Sequence, residues 1–212
     1  MPVQTKCTVA EAVRLNDFAC SLTLDVGEEM AGQIACGQFV HIKCGHSRLL
    51  RRPISICDWQ ENLLRVVFEV RGEGTEWLAR RKAGDRLDVL GPLGHGFDVA
   101  AGSLLVVGGG IGAPPMLGCA KYAASRGSEV HAVLGFRDAE HKMLTEDFAE
   151  CCRSLNVISD DGSTGRRPPP PPGAWTWARR QALPGSQAPG HRHRRLYSLR
   201  TPGSPGTPPP VR

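Results

Sequence analysis

VVGGGIGAPPML, residues 106–117, is the stretch that decides the fold. It ends an apolar run that starts at Ser103 and opens a segment with helical spacing, so it joins a buried strand to a helix. Glycines at such a junction let backbone N–H groups approach a phosphate at the helix N-terminus. A tight strand–helix turn is the alternative, but three consecutive glycines favour a nucleotide phosphate loop. The candidate residues are Gly108, Gly109, Gly110 and Gly112.

The segments after this loop continue an α/β pattern. PPMLGCAKYAASRG predicts a helix that stops at Gly127, and TEDFAECCRS predicts a second helix with Thr145 as its N-cap. EVHAVLGFR and LNVISDDG are apolar runs typical of buried strands. Strand–helix–strand–helix–strand predicts a parallel sheet with right-handed crossovers over residues 101–165. A complete nucleotide-binding domain normally has more strands, so we expect this one to be incomplete.

Residues 1–100 predict an antiparallel β-barrel. Short apolar stretches, several of them alternating, are separated by turn residues. One helix is expected near residues 75–81, where GTEWLARR has helical spacing. About six strands and one helix suit a small closed barrel. The expected strands lie in CTVAEAVRL, ACSLTLDV, QFVHIKC, PISICDW, LLRVVFEV and DRLDVLGPL.

Two segments of the barrel region are candidate ligand sites. In LLRRPISIC, residues 49–57, an Arg fork can grip a diphosphate and a Ser hydroxyl can reach a flavin ring. A strand with a surface Arg pair and an edge Pro is the alternative. In EVRGEGTEWL, residues 69–78, glycines before a helix let N–H groups approach a phosphate. A glycine turn capped by Thr75 is the alternative.

A third segment, GPLGHGF at residues 91–97, predicts a tight, close-packed connection at the end of the barrel. A lone loop His between glycines is more often structural or solvated than catalytic, and no nucleophile lies near His95 in the sequence. We therefore expect no catalytic acid, base or nucleophile in this chain.

The composition changes at Arg166. From there to Arg212 the chain contains no Asp, Glu, Lys, Ile, Phe, Met, Asn or Cys, and it holds 12 of the 17 prolines and nine arginines. With so few apolar residues, residues 166–212 are expected to be disordered or polyproline-like. The net charge of +5 comes from this tail, because residues 1–165 carry 17 Lys+Arg against 21 Asp+Glu. The basic balance is therefore no sign of nucleic-acid binding.

All eight cysteines lie in the first 152 residues, and none forms a CxxC pair. The N-terminus has no apolar signal core, and no apolar run is long enough for a membrane span. We expect a reduced, cytoplasmic protein with free thiols and no membrane partner, and a disulfide framework is the alternative.

RRPISI, VRGEGTEWL, GPLGHGF and VVGGGIGAPPM, in this order, resemble segments of the ferredoxin–NADP reductase superfamily. The resemblance is closest to the electron-transfer subunits of B-type, NAD-dependent dihydroorotate dehydrogenases. GFR at 135–137 and SDDGSTG at 159–165 extend it over nearly all of residues 1–165. RPxS, GxGT and GGGIGxxP are a strong signal in combination, although each alone is weak.

The resemblance implies an FAD-dependent, NAD-coupled oxidoreductase subunit of pyrimidine biosynthesis. An FMN-containing catalytic subunit would oxidise dihydroorotate within a heterotetramer, and electrons would pass through a [2Fe-2S] cluster to FAD and then to NAD⁺. Gly108–Gly112 would face the nicotinamide nucleotide, while Arg137 and Asp138 leave NAD or NADP open. The residues implied for FAD are Arg52, Pro53, Ile54, Ser55, Gly72, Gly74 and Thr75.

The chain departs from the family where the cluster ligands are expected. A [2Fe-2S] site needs four thiolates, and no Cys lies beyond Cys152. Cys151 and Cys152 are adjacent on one predicted helix and cannot supply four ligands, so we expect no cluster. We interpret residues 166–212 as a frame-shifted or mis-assembled translation, because GC-rich DNA read out of frame gives such a composition. A genuine basic linker is the alternative, although it leaves an exposed sheet edge.

Two other functions stay open. The same front motifs occur in flavin subunits of sulfide dehydrogenases and of NADH-dependent ferredoxin:NADP oxidoreductases. A non-functional truncated product is the other alternative, favoured by the missing strands and cluster ligands.

Overall fold

The computed structural model describes residues 1–45, residues 50–165 and the backbone of residues 195–199. Most of the predicted tail, residues 166–194 and 200–212, lies outside the described residues. Within the described part, no helix is long and apolar enough to cross a membrane.

The first hundred residues form a closed antiparallel barrel of six strands, as predicted. Its strand order is β1-β2-β5-β4-β3-β6. Two short helices, α1 (Gly27–Ala31) and α2 (Glu73–Ala79), lie in the connections, and only α2 was expected. The strands are β1 (Val3–Arg14), β2 (Ala19–Asp25), β3 (Phe39–Lys43), β4 (Arg51–Gln60), β5 (Leu63–Glu69) and β6 (Arg86–Leu93).

The barrel is held together by the inward face of alternating strands. Leu22 and Leu24 on β2, Ile42 on β3 and Leu64 on β5 are at most 1% exposed. Because successive side chains of a strand point to opposite faces, Thr23, between the two leucines of β2, is more exposed than either of them. Each such side chain contributes roughly 1.5–3 kcal/mol through its burial.

The second unit is a parallel sheet with helices, also as predicted. The strands β7 (Ser103–Gly109), β8 (Glu129–Phe136) and β9 (Ser154–Ser159) pair in that order, with α3 (Pro114–Ser125) and α4 (Thr145–Cys151) as crossovers. The prediction of Thr145 as N-cap is wrong. Leu144 precedes the helix with φ of +59° and caps it without a side-chain hydrogen bond, so Thr145 is the first helical residue.

A fourth strand, β10 (Arg195–Leu199), pairs parallel with β7 on the side away from β8. The expectation of a disordered tail therefore does not hold for these five residues. The edge of β7 that faces away from β8 is covered by β10. Parallel pairing uses backbone N–H and C=O groups, so the unusual composition of the tail does not prevent it.

Helix α3 lies between the two units. It packs on β4 of the barrel and on β7 and β8 of the sheet. Every residue from Pro114 to Ala120 is buried, so the helix is apolar around its first two turns rather than along one face. Gly118 allows the close approach, because a Cβ there would be 2.8 Å from the Cys57 carbonyl oxygen.

Candidate functional site

The two arginines at the start of β4 have different surroundings. Arg51 Nη2 is 2.8 Å from Asp88 Oδ1, and Arg51 Nη1 donates to the backbone oxygen of Asp88 at 3.1 Å. Its neighbour Arg52 points to the opposite face of the strand. Arg52 is half-buried and has no hydrogen-bond or ion-pair partner among the described residues. Arg51 is therefore a structural residue of the barrel, whereas the Arg52 guanidinium is available to a ligand.

Arg52 lies directly over the start of α2. A Cβ on Gly74 would be 2.5 Å from Arg52 Nε, so a side chain at this position would have to displace the guanidinium. The fold thus brings together two segments that are about twenty residues apart in the sequence. Both segments were predicted to contact one diphosphate.

Thr75 shapes this turn with its hydroxyl group. Thr75 Oγ1 accepts hydrogen bonds from the backbone N–H groups of Arg71 at 2.9 Å and Gly72 at 3.2 Å, and it donates to the Gly72 carbonyl oxygen at 2.9 Å. These bonds are the half of a capping box that the N3 side chain supplies, since Gly72 at the N-cap has no side chain to return a bond. Thr75 therefore fixes the conformation of the loop around Gly72, and its hydroxyl already has three partners.

The remaining predicted residues of β4 lie along a partly open strand edge. From Arg51 to Ser55, β4 pairs with β3, and its pairing with β5 begins only at Ile56. Pro53 is exposed, Ser55 is half-buried, and Ile54 is 8% exposed and packs in the barrel core. Pro53 suits such an edge because it has no N–H to pair.

The glycine loop lies at the carboxyl end of β7. A Cβ on Gly108 would be 2.6 Å from Ala113 Cα, so this glycine permits the tight return into α3. Gly109 is exposed and pairs in register with Gly135 at the end of β8. Neither residue of this pair has a side chain, so the carboxyl edge of the sheet is open above it. Gly110, with φ of +51°, begins a 3₁₀ turn that ends at Gly112.

The topology places this loop where α/β sheets bind ligands. The chain runs from β7 to β8 and β9 on one side, and β10 lies on the other side of β7. The order reverses at β7, and open sheets bind ligands outside the carboxyl ends of the strands at such a switch point.

The glycine loop also meets the barrel. A Cβ on Gly110 would be 4.0 Å from Glu69 Oε1, at the end of β5. Glu69 forms an ion pair with Arg71, two residues before the α2 turn. Glu69 therefore pairs with Arg71 just before α2 and also approaches the glycine loop. Neither Glu69 nor Gly135 was predicted as a site residue, because their importance depends on contacts between distant segments.

The GPLGHGF connection is close-packed, as predicted. A Cβ on Gly91 would be 2.7 Å from Val40 Cγ1, and one on Gly96 would be 2.8 Å from Ala35 Cβ. His95 is exposed.

Beyond β8, the two charged residues considered for the choice between NAD and NADP differ in exposure and in hydrogen bonding. The Arg137 side chain is 80% exposed. Asp138 Oδ1 is 2.7 Å from His141 Nδ1 and accepts the His141 backbone N–H at 3.0 Å. The hydrogen bond from His141 lowers the pKa of Asp138 below its usual value. The His141 ring in turn stacks on Phe18 of the barrel, with centroids 3.7 Å apart.

Sequence comparisons place this arrangement among known proteins. No family model matches the chain. It is 40% identical over 168 residues to the "Dihydroorotate dehydrogenase B (NAD(+)), electron transfer subunit" of Geobacillus thermodenitrificans, across 76% of this chain and 65% of the relative. The proteins of the same name from Bacillus caldolyticus and Streptococcus mutans are 43% identical over 168 residues and 40% identical over 146. The chain is a homologue of these electron-transfer subunits.

The chain spans 56–65% of the length of these relatives. Residues 166–212 contain no cysteine. In this chain, the barrel contains the Arg52–Gly74 contact and the sheet begins with the glycine loop.

Solved structures give the same fold. The NADH-dependent reduced ferredoxin-NADP oxidoreductase matches with a TM-score of 0.69 and 29% identity, over 77% of this chain and 59% of that one. The flavohem-like FAD/NAD binding domain of nitric oxide dioxygenase from Vibrio cholerae matches with a TM-score of 0.65 and 15% identity, over 84% and 82%. The second match shows the fold alone. The predicted barrel followed by a nucleotide-binding sheet is confirmed as the FAD/NAD-binding reductase fold.

Proposed function

We propose that this chain is a cytoplasmic electron-transfer flavoprotein unit that passes electrons from a dihydroorotate-oxidising partner through FAD to NAD⁺ in pyrimidine biosynthesis. The observation that carries the proposal is the convergence of Arg52 on Gly74, together with a glycine loop at the carboxyl end of β7 in a parallel sheet. Homology to electron-transfer subunits at about 40% identity supports the same function.

The described residues fit FAD at the barrel. Gly74 forms a cradle that a Cβ would fill, and the guanidinium above it has no protein partner in the described part of the chain. Arg52 would bind the diphosphate with its planar fork, and the turn shaped by Thr75 would present backbone N–H groups to it. Pro53, Ile54 and Ser55 would line the flavin along the open edge of β4, with Gly72 beside the diphosphate.

The glycine loop would receive the nicotinamide nucleotide. The backbone of Gly108, Gly109, Gly110 and Gly112 allows a diphosphate to come close to the start of α3. FAD, when bound, supplies the hydride and single-electron chemistry. The residues of this chain hold and orient the two cofactors, and no side-chain acid or base is needed for hydride transfer between stacked rings.

The partner would be an FMN-containing catalytic subunit, in a heterotetramer with two copies of each chain. In the described ranges 1–45 and 50–165, no three His, Cys, Asp or Glu side chains lie close enough together to hold a metal ion. We therefore assign no [2Fe-2S] ligand to these residues.

We also propose that residues 166–212 are a frame-shifted translation. Resequencing the gene tests this, and an intact reading frame with the same tail would refute it.

A second function is favoured by one comparison. The solved structure at 29% identity is an NADH-dependent reduced ferredoxin-NADP oxidoreductase. The front motifs serve either function, so the partner decides between them. Co-purification of the full chain with a dihydroorotate-oxidising subunit supports the first function, and capture of a ferredoxin-linked subunit supports the second.

The direct test is the flavin absorbance of purified variants. Arg52→Ala should lower the bound FAD per chain, because a charged hydrogen bond to the diphosphate contributes about 1.5–3 kcal/mol, or roughly 10- to 150-fold in affinity. Arg51→Ala is the matched control. It removes the bonds to Asp88, so it should lower the stability of the barrel while the folded protein keeps FAD.

Equal FAD content in Arg52→Ala and the parent protein would contradict the placement of the diphosphate. A parent protein that binds no flavin at all would favour the non-functional alternative.

A further inference from the structure

Two adjacent cysteines end α4 and have no part in the proposed electron transfer. Cys151 Sγ and Cys152 Sγ are 3.9 Å apart. Both side chains are half-buried, whereas the other six described cysteines are buried. These two thiols are therefore the pair that a small reagent can reach in the folded protein.

The two sulfurs are electrostatically unequal. The contact with Cys152 lowers the pKa of Cys151, and the Lys121 ammonium adds to this effect, while burial and the Asp58 carboxylate oppose it. The same contact raises the pKa of Cys152. Lys121 is on α3, where its Nζ lies 2.5 Å from Asp58 Oδ2. Cys151 is thus the more easily ionised nucleophile, with a second thiol beside it.

The spacing of the sulfurs suits one bridging atom. Two thiolates on a tetrahedral centre with bonds of about 2.3 Å lie roughly 3.8 Å apart, and on a pyramidal trivalent centre they lie slightly closer, within a small side-chain rotation of the observed spacing. A structural zinc ion needs four such ligands. No third His, Cys, Asp or Glu completes a metal site with these sulfurs in the described part of the chain. The pair therefore suits a ligand that binds two sulfur atoms and needs no third protein ligand.

We propose that Cys151 and Cys152 form a vicinal dithiol site for monosubstituted trivalent arsenicals. With an arsine oxide, the arsenic–oxygen bond breaks and two arsenic–sulfur bonds form. The oxygen leaves as water with the two thiol protons, and no atom changes its oxidation state. The second bond closes within one chain, so its effective concentration gives the pair an affinity that a single thiol lacks.

The chain contains a natural comparison pair. Cys36 and Cys119 also share a sulfur hydrogen bond, one from the barrel and one from α3. They are 4% and 0% exposed and are packed among apolar side chains. An arsenical that bound there would have to open the contact between the two units.

The experiment uses phenylarsine oxide with the full chain under native conditions, followed by intact-mass measurement and peptide mapping. We expect one adduct per chain on the peptide that contains Cys151 and Cys152, stable to a monothiol and removed by a dithiol. Cys151→Ser and Cys152→Ser should each weaken capture by about 10²-fold or more, because the second bond is lost. Cys36→Ser should keep the adduct.

The mapping is done on the parent protein, so the test does not depend on how any variant folds. Circular dichroism of each variant separates loss of the site from loss of the fold. An adduct that maps to Cys36 and Cys119, or one that forms only after denaturation, would overturn the proposal. Equal capture by the double variant Cys151→Ser, Cys152→Ser would overturn it as well.

Discussion

The barrel and the sheet present their candidate sites in different ways. In the barrel, a side chain provides the site: Arg52 stands on a strand of a closed frame, above the Gly74 turn. In the sheet, the backbone provides it: Gly108–Gly112 leave the carboxyl edge bare, and β10 from the distant tail completes the switch point. A site formed by a side chain can lose that side chain while the surrounding barrel stays folded. A site formed by backbone is distorted when a substitution adds a Cβ for which there is no space.

The largest expected effect is the loss of stability when a fully buried side chain is truncated, and it distinguishes the sheet core from the barrel core. Phe148 on α4 is fully buried in the core beside the sheet, and Leu64 on β5 is fully buried in the barrel core. Phe148→Ala should cost about 3–5 kcal/mol and Leu64→Ala about 2–5 kcal/mol of the free energy of unfolding. We expect Phe148→Ala to remove the response to NADH first, and Leu64→Ala to lower FAD content first. Loss of FAD to the same extent in both, measured in urea titrations, would show that the two units unfold as one.

The next effect tests the backbone site itself. Gly108→Ala places a Cβ 2.6 Å from Ala113 Cα, and backbone atoms there cannot move aside. We expect a cost of about 1–3 kcal/mol and weaker nucleotide binding. Gly109→Ala is the control for folding, because the nearest atom to its Cβ is 4.0 Å away and its φ of −123° suits alanine, so it should leave the free energy of unfolding unchanged. Urea titration compares the two variants, and an equal loss of stability in both would contradict this account of the loop.

A smaller effect concerns the contact between barrel and sheet. Burial lowers the pKa of Lys121, but the hydrogen bond and charge of Asp58 outweigh it and raise the pKa above 10.5. The pair should therefore stabilise the protein fully below about pH 10.5 and lose its effect as the pH rises through the folded value. Because the Lys121 side chain is 36% exposed, Lys121→Met should cost only about 0.2–1 kcal/mol.

The check on this prediction is a pair of unfolding titrations, at neutral and at strongly alkaline pH. The difference between parent and Lys121→Met should shrink at the alkaline end. A difference that stays constant would mean that Lys121 acts through its apolar stem rather than its charge.

The smallest effect is at the His141 contact. The pKa of Asp138 is lowered by His141, so its contribution should be present above about pH 3.8 and disappear as the pH falls through the folded value. Asp138→Asn should therefore flatten the acid limb of the stability curve slightly. Identical acid limbs in parent and variant would show that the bond to His141 does not stabilise the fold.

The sequence predicted the barrel well because its strands alternate clearly. It did not predict α1, since one turn with a single buried residue, Met30, leaves no helical period. It also placed the N-cap of α4 at Thr145 from residue type alone, whereas the chain enters the helix through a left-handed Leu144. Both errors concern local features that depend on the backbone conformation of the preceding residues rather than on the hydrophobic pattern of the segment.

Only part of the candidate site was predicted, because the rest depends on contacts that the sequence pattern does not show. Motifs indicated Arg52 and the glycines, but one sequence does not show that Arg51 is held by Asp88. The nearness of Glu69 to Gly110 and the pairing of Gly109 with Gly135 join residues far apart in the chain. The strand β10 was hidden because its pairing is made by backbone, to which composition gives no clue.

Trp59 gives the molecule an optical reporter of its own. Its ring packs against both cores and lies 6.5 Å from the ring of Tyr122 on α3. Flavins absorb in the region where tryptophan emits, so the fluorescence of Trp59 should be quenched when the barrel is loaded and should change when α3 moves away. With Trp77, Trp175 and Trp177 replaced by Phe, one emission band would report cofactor loading and the contact between the units without an added label.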